Sequence, residues 1–340
     1  MSFGRFLFKR TLQGIFVVWG VVTVVFLLRF ITPGDPVTFV APLDASQELR
    51  DQIARELGLN QPLYVQYLDY LFGLLQGDMG YSYLRGTEAS EIVLARVPAT
   101  VELAVAATLV AVVISIPLGV VSATRRHQPA DYFATLFSLV GISTPNFWLG
   151  IMLILVLSVQ FGIFPTSRRP IGFLQTFSFL VTLEGGVAAP MNVGEFLDAM
   201  GSWLWHITLP AITLGTYFTA LITRLTRSGM IEELGQPYIR ASRAKGLPET
   251  LVQFKHALRN TLIPVITVLG LQLGTLIGGA VITEAVFSWP GLGTLVINSI
   301  NVRDWPLIQG SLIVIGTGFV VINIAVDALY GYLNPQVVYE

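Results

Sequence analysis

Long stretches without a single charged side chain alternate along this chain with shorter polar segments. Six stretches stand out, at residues 11–28, 103–124, 132–167, 199–223, 260–283 and 305–326. A helix needs about 20 mostly apolar residues to cross roughly 30 Å of hydrocarbon, so each stretch suffices for a crossing. The stretch over 132–167 holds 36 residues, too many for one crossing and too few for two with a turn, and Pro145-Asn146 interrupts it. One span is placed there, at about residues 135–160. Residues 170–183 are too few to span, and residues 285–302 are broken by Trp289-Pro290-Gly291-Leu292-Gly293, so both read as loop or interfacial segments. The pattern predicts an all-α integral membrane protein with six transmembrane helices.

Two polar stretches remain. Residues 32–100 form a long loop between the first two spans, in which the mixed apolar and charged positions 48–57 predict a short amphipathic helix. Residues 224–259 carry seven basic and three acidic side chains and are punctuated by Gly235-Gln236-Pro237 and Gly246-Leu247-Pro248. That order predicts helix, break, short helix, break.

Composition agrees with the pattern. Hydrophobic residues make up 53% and charged residues 12% of the 340, and mean hydropathy is +0.69, against about 25% charge in a soluble domain. A cytosolic enzyme or a nucleic-acid binder is excluded. The first charge-free run exceeds the 7 to 15 residues of a signal-peptide core and lacks a cleavage site, so it reads as a retained helix. Orientation follows the bases: with the amino end inside, 12 of the 20 lysines and arginines, including all three lysines, fall on the cytoplasmic side. Six spans then put both termini in the cytoplasm.

The chain has no cysteine and three widely separated histidines, His127, His206 and His256. Thiolate chemistry is thereby excluded, and a histidine metal site is not expected. The ionisable groups within or at the ends of spans are Arg29, Glu102, Glu284 and Asp327. All sit near ends rather than at mid-membrane, which weighs against an ion-coupled secondary transporter. Asp327 is expected to pair with an inner base. Paired catalytic groups inside spans, which an intramembrane enzyme would need, do not occur.

The segment Tyr238-Ile239-Arg240-Ala241-Ser242-Arg243-Ala244-Lys245-Gly246-Leu247 sets bases beside small residues, so a helix here offers both donors and room for close approach. Gly246 suits a positive φ at a helix end, and Pro248 an early position of the next helix. From composition alone these bases are positive-inside anchors; the ordered Gly and Pro punctuation argues for a shaped element.

Here the sequence resembles a family, the type I ABC importer permeases, in the variant of the dipeptide, oligopeptide and nickel subfamily, where Arg-Ala-x-Arg-Ala-Lys-Gly-Leu recurs in the EAA loop. Further matches are Pro33-Gly34-Asp35-Pro36, Leu57-Gly58-Leu59-Asn60-Gln61-Pro62-Leu63, Gly77-Asp78-Met79-Gly80-Tyr81-Ser82 and Arg96-Val97-Pro98-Ala99-Thr100. Later come His206-Ile207-Thr208-Leu209-Pro210-Ala211, His256-Ala257-Leu258-Arg259-Asn260, Glu284-Ala285-Val286-Phe287-Ser288 running into Trp289 to Gly293, and Arg303-Asp304-Trp305-Pro306. Their order and spacing cover residues 5–337. The general Glu-Ala-Ala-x-x-x-Gly pattern departs here: Arg240 stands at the acidic position and Arg259 at the final proline, so a contact made by that Glu does not carry over.

The resemblance implies a B-component permease divided into residues 1–97, a first helix with an extracytoplasmic segment, and 98–332, the permease domain with its coupling loop at about 230–260. It implies a homologous second permease, two ATP-binding subunits, an extracytoplasmic binding protein and a di- or oligopeptide substrate, with a nickel chelate or another small solute as alternative. ATP and Mg would be bound by the partners, and no phosphate-binding Gly-x-x-x-x-Gly-Lys-Ser/Thr loop occurs here. Residues Arg240 to Leu247 would meet an ATPase. Asp78, Glu284, Arg303 and Asp304 are expected as binding-protein or gate contacts, with a solvated turn as the plainer reading of Asp78, Arg303 and Asp304.

Overall fold

The computed structural model of this chain describes residues 3–31, 37, 41–42, 44–56, 58–166, 168–180, 183–184, 187–188 and 193–333. The Pro33-Gly34-Asp35-Pro36 motif, Leu57 and the extreme termini lie outside the described residues. Helices α1 (Phe3–Ile31), α2 (Gln47–Glu56) and α3 (Leu63–Leu75) come first. A small hairpin, β1 (Tyr81–Ser82) antiparallel to β2 (Thr87–Glu88), leads into α4 (Ala89–Thr124). Then follow α5 (Pro129–Ser143), α6 (Asn146–Leu153) with a π turn over Ile154–Gln160, the short α7 (Phe173–Thr176) and a second hairpin, β3 (Leu183–Glu184) with β4 (Val187–Ala188). The rest is α8 (Val193–Leu234), α9 (Pro237–Ala244), α10 (Glu249–Leu251), a π turn over Val252–Ala257, α11 (Leu258–Val286), α12 (Leu292–Val302) and α13 (Trp305–Leu333).

Four helical segments are long and apolar enough to cross a bilayer: Phe3–Ile31, Ala89–Thr124, Glu249–Leu276 and Trp305–Leu329. A fifth exists if α5 and α6 are taken as one broken span, bent by 106°. The span expected at 135–160 is therefore not one rod. Its break falls at Thr144-Pro145, where the proline removes a backbone donor and drives the preceding residue to extended backbone, φ −87° and ψ 123°. The run 199–223 lies inside α8, a helix of 42 residues. Threonines dilute its apolar character, and Thr208, Thr213, Thr216 and Thr219 each donate to the carbonyl one turn earlier. Polar side chains remain satisfied in lipid by this device. The helix α4 runs unbroken through residues 97 and 98, so a division of the chain there cuts a helix.

Between helices in lipid there is no hydrophobic driving force, so close packing through small residues has to supply the attraction. The antiparallel pair α4 and α8 shows this: Ala104, Ala107 and Ala111 pack with Ala211, Leu214 and Phe218. A Cβ at Gly215 would come within 2.8 Å of the Ala107 carbonyl oxygen, and one at Gly119 within 2.6 Å of Thr226 Cβ. Helix α5 approaches α8 in the same way at Gly141, facing Ala220. Helix α1 stands at the periphery and packs on α13 through Gly14 and Gly316.

Three ion pairs fasten the helices where charge is partly withdrawn from water. Asp131, 3% exposed, accepts two bonds from the Arg227 guanidinium at 2.7 and 3.0 Å, with Ser122 Oγ at 2.6 Å and the His127 amide at 3.0 Å, tying α4, α5 and α8 together. Glu102 of α4 accepts from Arg169 Nε and Nη2, the Phe173 amide and Trp203 Nε1. Asp327 pairs with Arg10 at 3.2 Å, the inner base expected for it.

Candidate functional site

The polar stretch 224–259 folds as its punctuation predicts. Helix α8 ends before Gly235, α9 starts with Pro237 at its first turn, and the chain turns again before Pro248 caps α10. Proline fits both starts because the first amide of a helix has no partner to lose. Gly246 takes φ +76°, a left-handed conformation that only glycine adopts without strain. The Gly246 amide bonds the Arg243 carbonyl at 2.9 Å and closes the end of α9.

The helix α9 is anchored on one face and open on the other. Ile239 is fully buried in a cluster with Val120, Ala123, Met230, Val252 and Ala257, which fixes α9 across the ends of α4, α8 and α11. Arg240, Ala241, Arg243, Ala244, Lys245 and Gly246 are exposed, while Ser242 and Leu247 are half-buried. Ser242 Oγ donates to the Tyr238 carbonyl at 2.8 Å, and Leu247 packs against the anchoring cluster.

Arg243 makes two parallel bonds to Glu249, at 2.7 and 3.1 Å, across the Gly246 turn. The guanidinium holds the Glu249 carboxyl below its ordinary range, and Arg243 is raised in turn. Both side chains are over 40% exposed, so the pair contributes about 0–1 kcal/mol and chiefly sets the angle between α9 and the next helix. Tyr238 donates to Glu233 and accepts from Asn260 Nδ2, closing the other side.

At the opposite end of the helices the Glu284 to Gly293 motif forms a closed knot. Leu292 and Thr294, in the first turn of α12, have amides with no helical partner. Thr100 Oγ accepts the Leu292 amide at 2.8 Å and donates to Glu284 Oε1 at 2.7 Å, while Glu284 Oε2 accepts the Thr294 amide at 3.1 Å. Trp289, fully buried, donates its indole N–H to the Ala99 carbonyl at 2.8 Å. The two glycines of the motif leave space for this: a Cβ at Gly291 would lie 2.2 Å from Glu284 Oε1, and one at Gly293 2.4 Å from Val281 Cα.

This geometry corrects part of the expected site. Glu284 and Asp304 are 0% and 4% exposed, so neither carboxylate meets a protein arriving from solution. Asp304 is bound by Ser82 Oγ of the first hairpin at 2.5 Å, which fastens that hairpin to the start of α13. Asp78 is exposed and accepts the Gly80 amide at 2.7 Å, the solvated turn of the plainer reading. Arg303 is exposed at the end of α12 with φ +56°. The coupling loop and these four residues lie at opposite ends of the helices and share no site.

Sequence reasoning does not find Asp131, because it sits one residue before the charge-free run from 132. The signal available was topological: Asp131 and Arg227 flank runs whose ends fall on the same side, leaving an acid and a base at one depth. Among the described residues no three His, Asp or Glu side chains converge as a metal site would require.

Residues 115–339 match the family described as binding-protein-dependent transport system inner membrane component, and residues 3–104 match its N-terminal membrane-component model. Over 335 residues the chain is 41% identical to the oligopeptide transport system permease protein AppB of Bacillus subtilis, covering 98% of this chain and 99% of that one. It is 41% identical over 327 residues to the dipeptide transport system permease protein DppB of Escherichia coli, covering 94% of each. The glutathione transport system permease protein GsiC of Escherichia coli is 35% identical over 336 residues, 99% of each. With both family models matched and these relatives covered almost end to end, the chain belongs to the inner membrane component family of binding-protein-dependent transport systems and is a permease subunit of such a system.

Proposed function

We propose that this permease is one of two homologous permeases in an ATP-driven importer of di- or oligopeptides, working by alternating access. The observation that carries the reading is α9: a short helix seated on the helix ends by a buried isoleucine, its other face of arginine, lysine and alanine left open. A rigid element of this kind transmits a push from a soluble partner to several spans at once. Arg240 to Leu247 are its docking residues, two ATPase subunits with ATP and Mg its partners, and an extracytoplasmic binding protein delivers the substrate. The peptide substrate is supported by the names of the relatives, oligopeptide, dipeptide and glutathione permeases.

The second permease is supported by α11. Thr267, Leu271, Thr275, Gly278 and Ile282 recur at helical spacing along one side, and Leu271, Thr275, Gly278 and Ile282 are exposed. Small and hydroxylated residues on an uncovered face suit a facing helix or a polar path between two subunits. Liposomes reconstituted with this chain, the ATPases and the binding protein should import peptide only when the homologous permease is added. ATP-dependent uptake without it would refute the two-permease reading.

Six crossings with both termini and α9 in the cytoplasm complete the proposal, with residues 1–97 preceding the permease domain of 98–332. Since the chain has no native cysteine, single cysteines report sidedness directly. Thr87→Cys in β2 should react with a membrane-impermeant maleimide in spheroplasts, and Gln128→Cys, exposed between α4 and α5, only after the membrane is opened. Reaction of Gln128→Cys from outside would reverse the orientation.

A further inference from the structure

Helix α3 is apolar but holds only 13 residues, about 20 Å, too short to cross a bilayer. Its contacts fix its depth. Thr23 of α1 bonds the Tyr67 hydroxyl at 2.7 Å, and Phe26 meets the rings of Tyr67 and Tyr70 at 5.2 and 5.5 Å. The charge-free part of α1 is centred near residue 20, so Thr23 and Phe26 lie about 5–9 Å from the bilayer middle. The hydrocarbon edge is about 15 Å from it. A helix touching α1 there is at the depth of acyl chains.

The exposed positions of α3 sort by polarity. Tyr64, Leu68, Phe72 and Leu75 are 69, 48, 60 and 76% exposed and recur on one side of the helix. Asp69 and Gln76 are exposed on another. On α1 the neighbouring surface is apolar too, with Val24 60%, Phe30 44% and Ile31 75% exposed. The stripe on α3 thus continues the lipid-facing surface of a membrane span, whereas α2, next along the chain, is polar and has no buried residue. An amphipathic helix with these properties lies in the plane of the interface.

We propose that α3 is an interfacial helix whose Tyr64, Leu68, Phe72 and Leu75 stripe is covered by phospholipid acyl chains, with Asp69 and Gln76 toward water. In the orientation proposed above this is the outer leaflet; the test does not depend on sidedness, substrate or ATPases. Nitroxides at Leu68→Cys, Phe72→Cys, Asp69→Cys and Gln76→Cys would be compared in nanodiscs holding the assembled transporter with cysteine-free partners. Oxygen should outcompete a water-soluble nickel chelate as collision partner at 68 and 72, and the ratio should invert at 69 and 76. Chelate access at 68 and 72 would place the stripe in water, and exclusion of both reagents would place it under protein; either overturns the proposal. Should a labelled variant fail to assemble, the unsubstituted protein in vesicles of phosphatidylcholine carrying a photoreactive acyl chain serves instead. Crosslinks within residues 63–75 are expected, and crosslinks to α1 with none in that segment would refute it.

Discussion

Replacing Gly246 with valine should leave the protein in the membrane at near-normal amounts while uptake in reconstituted vesicles falls by about 5–150-fold. The range follows from roughly 1–3 kcal/mol for holding a residue other than glycine in a left-handed conformation, read as a loss of the docking-competent shape. Nothing lies within 4 Å of where a Cβ would stand, so steric collision contributes nothing and the φ of +76° alone makes the difference. Asparagine, which tolerates this conformation, should therefore retain most of the activity. Valine relaxes the turn, breaks the alignment between Arg243 and Glu249, and turns α9 away from its partner while the spans stay inserted. ATP hydrolysis by the bound ATPases should then lose its dependence on substrate. Parental uptake by Gly246→Val at equal membrane levels would remove the coupling role from this loop.

The second large effect is expected at Asp131. Its replacement by alanine leaves Arg227 beside Ser122 and the His127 amide without the carboxylate they surround, a loss of about 3–5 kcal/mol for a buried pair. Arg227 retains 29% side-chain exposure, which lets it recover some hydration and puts the effect toward the lower figure. Thermal unfolding in detergent, followed by fluorescence-detected size exclusion, should show a clear drop in midpoint for Asp131→Ala. The double variant Asp131→Ala with Arg227→Met should recover part of it, because no uncompensated charge remains. Equal destabilisation in both variants would mean that the carboxylate acts through packing alone.

The charge-free runs located the spans because a bilayer imposes one length and one polarity on whatever crosses it, and residues 11–28, 103–124, 260–283 and 305–326 all fall in helices that pass that test. The two breaks of the coupling loop were legible for a local reason: Gly246 and the prolines at 237 and 248 restrict their own backbone whatever surrounds them. Burial was not legible. Glu284 and Asp304 sit at ends of apolar runs, where a carboxylate reaches water as easily as a neighbouring helix. Only the assembled fold shows that Thr100 and the α12 amides enclose one and Ser82 the other. Nor was the 106° bend, since Pro145 announces an interruption but the angle depends on how α5 and α6 each pack against α8. Asp131 and Arg227 are 96 positions apart, and nothing in either neighbourhood names the other.

The packing of α1 on α13 also sets an order of events during synthesis. The first helix to leave the ribosome has as its main helical neighbour the last one made, through Gly14, Gly316 and the Arg10 to Asp327 pair. At about 5–20 residues per second, translation from Ile31 to the end of α13 takes roughly 15–60 s. Throughout that interval α1 stands in the bilayer with its glycine face covered by lipid or by the insertion machinery rather than by its own chain. A nascent chain arrested before Trp305 would hold α1 and α3 as a detached pair, and the membrane part of the permease closes only when its carboxyl-terminal helix slides into place.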